Sequence, residues 1–242
     1  MKSPLFVPRA YRDAPAAGRR SFTVCCRDTD LWIAADPVLE PLARREVLAR
    51  RAELEAYIAR RRDFLTALAP LPDDETAPPI VREMMAAARL AGVGPMAAVA
   101  GAVAEAVGRR LLESADGVIV ENGGDIFLKS GQPAVCEVFA GNSPFSGRLA
   151  YEADASAGCG LCTSSGTVGH SLSFGKADAA TILCAGAAEA DAYATAVGNM
   201  IKNRDDIAAA LAYVKTQPRI KGCAVIIGDA IGIYGDLRVV KL

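Results

Sequence analysis

Three stretches of the chain combine glycine with oxygen-bearing side chains in patterns suited to holding an anion or a hard cation. They are GVGPMAAVAGAVAE (Gly92–Glu105), ENGGD (Glu121–Asp125) and GLCTSSGTVGHSLSFGKADA (Gly160–Ala179). In the third, Thr163, Ser164, Ser165 and Thr167 supply four hydroxyls. Gly160, Gly166 and Gly169 can take positive φ and turn main-chain N–H groups toward a bound oxyanion. The run Cys162–His170 is therefore expected to be a ligand-binding loop. It has neither the lysine nor the spacing of a P-loop, so an ordinary nucleoside triphosphate site is not indicated. His170, the chain's only histidine, is the acid–base candidate, and Phe174 and Lys176 bring an aromatic ring and a cation suited to a planar anionic ligand.

Glu121, Asn122, Gly123, Gly124 and Asp125 place two carboxylates and an amide on a glycine turn. The simplest alternative for them is a hairpin turn with exposed polar residues. Asp191 and Thr195 stand four apart in EADAYATAV and so share a helix face, where their oxygens could hold a cation such as magnesium. The alternative is an aspartate that stabilises a helix N-terminus. Cys159 and Cys162 form the one spaced cysteine pair, but a zinc or iron–sulfur site needs about four ligands, and scattered thiols and one histidine would have to provide the others.

The elements that must position these residues follow from periodicity and turn signals. Phe22–Cys26 and Leu31–Ala34 read as a hairpin across Arg27–Asp30. A long helix is expected from Val38 to Leu68, with Pro41 in its first turn, Leu42, Leu48, Leu54, Ile58, Phe64 and Leu68 on its apolar face, and its arginines mostly solvated. PLPDDETAPP (Pro70–Pro79) reads as a loop before a helix over Ile80–Leu90. Gly94-Pro95 opens a helix through Glu113 whose small side chains allow close approach to another backbone. Strands are expected at Val118–Glu121, Ile126–Lys129, Cys136–Ala140, Gly147–Glu152, Ala179–Ala185, Gly222–Gly228 and near Leu237–Val240, with helices at Ala188–Met200 and Asp205–Lys215. The order of strands, helices and a strand with a Gly-Asp turn occurs before about residue 130 and again after residue 178. VIVENGGDIFL and AVIIGDAIGIYG are the segments compared. This favours a duplicated α+β architecture with the middle loop at the junction of the halves, a place that ligand sites favour.

Composition narrows the function classes. The 242 residues are 52% hydrophobic, enough for one large core. With 27 basic and 28 acidic side chains there is no global field to recruit nucleic acid or an anionic membrane, so a small anionic ligand or a protein partner is expected. No apolar run of signal-peptide length opens the sequence, and no window has the roughly 18 uninterrupted apolar residues of a membrane span. Seven cysteines, an odd count, argue for reduced thiols and a cytoplasmic protein, with Cys25, Cys136, Cys184 and Cys223 packed as small hydrophobes.

RDTDLWI, GVGPMAAVAGAVAE, VENGGDIFL, CTSSGTVGHSLSFGKADA, ADAYATAVGN and KGCAVIIGDAIGIYG together resemble the blocks of the cytoplasmic branch of the ApbE-like superfamily, from about residue 20 to the end. The resemblance implies a T-fold-like α+β domain over residues 1–242, with two similar halves (about 20–150 and 151–242) and a site at their junction. The better-known relatives are magnesium-dependent flavin transferases that bind FAD and attach its FMN portion to a threonine or serine. By this resemblance Gly101 lies in the glycine-containing helix, with Glu105 where aspartate is usual. Gly123, Gly124 and Asp125 match the Gly-Gly-Asp turn, Thr163 to Gly166 the Thr-Ser-Gly segment, and Asp191 and Thr195 the magnesium pair. Two departures stand out: Ala100 replaces the usual lysine, and Ser173-Phe174 replace the Asp-Pro that follows the motif histidine, here His170. Three readings result: an ApbE-like binder of an anionic flavin or other nucleotide, a full flavin transferase, or a non-catalytic accessory protein in sulfur or cofactor metabolism. Open sheet edges make a homo-oligomer part of the expectation.

Overall fold

A computed structural model describes residues 19–168 and 173–242. The chain begins with strands β1 (Ser21–Cys26) and β2 (Thr29–Ala35), joined by the two-residue turn Arg27-Asp28 with Arg27 at φ 53°. Helix α1 (Glu40–Arg60) carries Pro41 in its first turn as expected, but it stops well before Leu68. At Arg61 the backbone leaves the helical region (φ −125°, ψ 78°), and a short α2 (Arg62–Thr66) follows. The buried face of α1 is Ala43, Val47, Leu54 and Tyr57, whereas Leu48 and Leu68 are more than half exposed. Arg50 and Arg51 are not on a solvated face either. Their side chains are 22% and 17% exposed, held by Glu46 and Glu53 and by Glu55 one helical turn or less away.

Helix α3 (Pro79–Ala91) ends at the left-handed Gly92. A single 3₁₀ turn (Pro95–Ala98) then leads into α4 (Val99–Leu111). Strands β3 (Val118–Asn122), β4 (Asp125–Lys129), β5 (Ala134–Glu137), β6 (Leu149–Ala153), β7 (Cys159–Ser164) and β8 (Ala179–Cys184) follow. Helices α5 (Ala187–Met200) and α6 (Asp206–Lys215) and strands β9 (Gly222–Ile227), β10 (Ala230–Gly235) and β11 (Arg238–Lys241) complete the described chain.

Eight strands form one antiparallel sheet in the order β1-β2-β3-β4-β7-β8-β9-β10. Strands β11, β6 and β5 form a smaller sheet. Element order repeats along the large sheet: α1 to α4 are inserted between β2 and β3, and α5 and α6 between β8 and β9. The two runs of four strands meet at β4 and β7, with Asp125 opposite Cys162. Helices cover one face, α4 on β3 and β4 and α5 on β7 and β8. Side chains alternate across each strand, so Val120, Phe127, Cys162, Ile182 and Val225 enter the helix-side core. Leu128, Leu161, Leu183 and Ile226 meet Tyr151 and Val138 in a second core beneath the small sheet.

Strand β7 overturns part of the loop expectation. Cys162, Thr163 and Ser164 are paired strand residues, and the loop starts only at Ser165. The segment reads as a loop because it is rich in small residues, yet those residues are needed by its neighbour. A Cβ on Gly160 would stand 2.3 Å from the Cα of Ala187, at the start of α5. Cys25 is also corrected, since it is exposed and its thiol donates to Asp30 Oδ1 rather than packing in a core. No single helix among the described residues is long and apolar enough to cross a membrane.

Gly160→Ala is therefore expected to destabilise the fold by about 3 kcal/mol by overpacking. Gly131→Ala, where an added Cβ meets nothing within 4 Å, should stay within about 0.5 kcal/mol of wild type. Urea unfolding of the two variants checks the contrast.

Candidate functional site

Helices α4 and α5 both begin in the interior without a side-chain cap of their own: Ala98 and Gly186 occupy the cap positions. Their unpaired N–H groups must find acceptors elsewhere. Each helix supplies the other's acceptor. Gly101 N donates to Asp191 Oδ2 at 2.9 Å, and Ala187 N and Ala188 N donate to Glu105 Oε2 at 2.6 and 3.2 Å. Carboxylates suit these positions because the start of a helix carries partial positive charge. Arg109, four residues along α4, donates to the other Glu105 oxygen, Oε1. Asp191 thus stabilises a helix N-terminus, though not that of its own helix. This exchange brings the backbones almost into contact, and a Cβ on Gly101 would lie 2.2 Å from the Ala187 carbonyl oxygen.

Across the seam from Asp191 stands Asp125, the first residue of β4. The turn before it needs positive φ at two positions, met by Gly123 (φ 73°) and Gly124 (φ 109°). Glu121, buried, accepts from Gly124 N at 3.0 Å, and Asn122 Nδ2 donates to the Ala100 carbonyl at 3.1 Å, tying the turn to the start of α4. The ENGGD residues are therefore more than an exposed hairpin turn. Asp125 as a residue is partly exposed, but its Oδ1 is fully covered and has no hydrogen-bond partner. Burial, then the charge of Asp191, holds the Asp125 carboxyl well above the usual range, against the pull of the Cys162 thiol and the Thr163 N–H. Burial pushes Asp191 up to about 7, against the Gly101 and Ala100 N–H groups. The Cys162 thiol lies between them and donates to the Ala187 carbonyl at 3.3 Å. Burial and the two carboxylates raise its pKa well above the ordinary value.

The four hydroxyls do not converge as the sequence suggests. Thr163 Oγ1 is bonded to Thr181 Oγ1 at 2.8 Å, in register with it and on the small-sheet face, away from Asp125 and Cys162. Ser164 points to the helix side, its Oγ 3.4 Å from where a Cβ on Gly198 would stand. Ser165 Oγ accepts from Thr167 N and Val168 N, and Thr167 Oγ1 donates to Asp178 Oδ1 at 2.8 Å. The other Asp178 oxygen accepts from Gly228 N at 2.7 Å. Asp178 is thus an anchor between this loop and the β9–β10 turn. Neither Gly160 nor Gly166 has positive φ; Gly166 is required because a Cβ would stand 2.2 Å from the Gly175 carbonyl oxygen. Gly169 and His170 lie outside the described residues.

Thr195 is half-buried one turn beyond Asp191 on α5. The donor set at the seam suits a hard divalent cation: carboxyl oxygens, one of them covered and unpartnered. Among the described residues no three His, Cys, Asp or Glu side chains are grouped to hold a metal by themselves. Cys159 and Cys162 belong to the two different cores, on opposite faces of β7. A surface cleft of about 240 Å³, lined by Glu46, Arg50, Glu83, Arg109 and other residues of α1, α3 and α4, includes none of the seam residues. Glu105 and Cys162 were placed in the right segments but not in these roles, Glu105 as the acceptor for the start of α5 and Cys162 as a buried thiol at the seam, and the anchoring role of Asp178 had no signal in the sequence. The missing caps on α4 and α5 were the available signal for Glu105.

This mixed helix and antiparallel-sheet architecture is that of the ApbE flavin transferases. The structure superposes on the apo flavinyl transferase ApbE of Pseudomonas stutzeri with a TM-score of 0.56 at 15% identity, covering 89% of this chain and 93% of that one. Flavin transferase ApbE from Vibrio cholerae gives 0.57 at 13%, covering 89% and 96%. The family model described as AbpE bacteria matches residues 12–218, and the chain belongs to that family. Archaeal UPF0280 proteins are close in sequence. That of Methanocella arvoryzae is 41% identical over 212 residues, covering 87% of this chain and 86% of its own length. The Methanocaldococcus jannaschii protein is 41% identical over 201 residues, covering 81% and 82%.

The raised acids give the chelator-treated protein a signed pH dependence. An aspartate at about 7 in the fold and 3.8 in the unfolded chain holds its proton more tightly when folded. Its contribution is then most favourable below pH 3.8 and is lost as pH rises to about 7. Urea titrations in chelator at intervals from pH 4 to 8 should show wild type losing stability relative to Asp191→Asn over that window. Parallel profiles would contradict the assignment.

Proposed function

We propose that the seam between β4, β7, α4 and α5 binds an anionic flavin nucleotide, FAD, together with Mg2+, and that the chemistry it supports is flavin transfer. The observation that carries this reading is the buried Asp125–Asp191 pair, with its unpartnered oxygen, beside the Gly123-Gly124 turn and the first turn of α4. Two facing carboxylates repel each other unless a proton or a cation lies between them. The repeated strand and helix order supports two halves, about 20–150 and 151–242, whose junction is this seam.

Asp191 and Thr195 would hold the cation, whose charge neutralises the pyrophosphate oxygens when it is bound. Gly101, Glu121, Asn122, Gly123, Gly124 and Asp125 form one wall of the binding site. Ser164, Ser165, Gly166 and Thr167 form the other, while Thr163 supports it from behind through Thr181. In the transfer step an acceptor hydroxyl oxygen bonds to the FMN phosphorus and the phosphoanhydride bond breaks. AMP departs with the bridging oxygen, and the hydroxyl proton passes to His170. Asp178 does not replace the acid missing at Ser173, because both its oxygens are engaged, so His170 is the one acid–base group in this reading.

Flavin fluorescence should show FAD binding that strengthens with Mg2+. Intact mass after incubation with a threonine-bearing acceptor should show one added FMN moiety on the acceptor. His170→Ala should keep FAD binding and lose transfer by about 100-fold or more. Absence of FAD binding with and without Mg2+ would defeat the reading. Binding without any transfer would reduce it to a flavin-binding role.

A further inference from the structure

We propose that Asp125 is itself a ligand of the divalent cation, so that the ion is held across the seam by one carboxylate from strand β4 and one from helix α5. The inference rests on reading the seam as a cation-dependent flavin site, and it adds to the Asp191–Thr195 pair a residue from the other half of the sheet.

Placement is the first argument. Asp125 faces Cys162 in the β4–β7 register, and the Cys162 thiol donates to Ala187, one helical turn before Asp191. The start of α4 also holds Asp191 through Gly101 N, and it accepts Asn122 from the turn that ends in Asp125. Both carboxyl groups are therefore fixed at the same joint, near enough for the charge of Asp191 to act on Asp125. Asp125 Oδ1 is the second argument. It is fully covered and has no hydrogen-bond partner of its own, whatever the Cys162 thiol and the Thr163 N–H give to the rest of the carboxyl group. A buried acceptor without a partner destabilises the fold relative to a bonded one, so a fold that keeps one calls for an explanation. A cation between the two carboxylates serves that oxygen and removes their mutual repulsion together.

The arrangement has a functional consequence. The Gly123-Gly124 turn runs directly into Asp125 and is tied to Glu121 and to α4, so an ion bridging Asp125 and Asp191 would also fix the wall that meets the ligand. Cation binding and ligand-site order are then one event.

The test uses the full chain stripped with chelator and titrated with Mn2+, free ion being read by electron paramagnetic resonance, with no flavin present and Mg2+ as competitor. Asp125→Asn should weaken Mn2+ binding by at least about tenfold, as should Asp191→Asn, whereas the exposed Asp116→Asn should match wild type. Thermal melting guards against misfolding: metal-free Asp125→Asn should melt at or above wild type, and added Mg2+ should no longer raise its melting temperature. Wild-type Mn2+ affinity in Asp125→Asn overturns the proposal, as does a wild-type protein that binds no Mn2+. A separate FAD titration distinguishes the two readings. FAD binding without Mn2+ binding defeats the bridging ion alone, and Mn2+ binding lost in Asp125→Asn without FAD binding supports the bridging ion and defeats the flavin site.

Discussion

Two helices that start in the protein interior with no caps of their own are held by each other's carboxylates. Glu105 on α4 takes the first N–H groups of α5, and Asp191 on α5 takes an N–H from the first turn of α4. A carboxyl oxygen at a helix start meets its partial positive charge, and a helix start left unsatisfied in the interior is costly. The exchange explains why the surroundings are so depleted of side chains. Gly101 and Gly160 both lie against Ala187, and a Cβ on Gly186 would lie 2.9 Å from Glu105 Oε2. The two runs of four strands could be joined by strand pairing alone. Here the helices above the joint are locked as well.

The lock concentrates charge at a defined place. Asp191 reaches Gly101 only by lying over the β4–β7 joint, which is where the Gly123-Gly124 turn delivers Asp125. The result is a pair of buried acids with raised pKa values, beside exposed main chain at a glycine turn and next to the Ser165–Thr167 loop. Such a pair is unfavourable as plain structure, and its retention points toward a bound cation and an anionic ligand. The Ser165–Thr167 loop is held by hydrogen bonds from Thr167 N and Val168 N to Ser165 and from Thr167 to Asp178.

Much of this was legible in the sequence, and the failures have physical causes. Hairpins and helices with strong turn chemistry, such as Asn122-Gly123-Gly124-Asp125 and Gly94-Pro95, came through because the signal is local. Strand β7 did not, because CGLCTS lacks branched residues; its glycine is set by the approach of α5, a contact 27 positions away. The long α1 face was misjudged because ion pairs within the helix keep Arg50 and Arg51 down while Leu48 turns outward. Residue types marked segments that the fold brings to one seam, but strand alternation sends Thr163 to the opposite face and leaves Cys162 and Ser164 on the helix side. Which acid caps which helix is a long-range fact, and only the lack of local caps at Ala98 and Gly186 hinted at it.

The claim that the reciprocal caps act as one unit can be measured by amide hydrogen exchange in Glu105→Ala. That change removes the acceptor for Ala187 and Ala188 but touches no partner of Gly101 directly. If the two caps depend on each other, exchange at Gly101 N–H should accelerate together with Ala187 and Ala188. Acceleration confined to Ala187 and Ala188, with Gly101 as protected as in wild type, would show two independent caps and contradict the account.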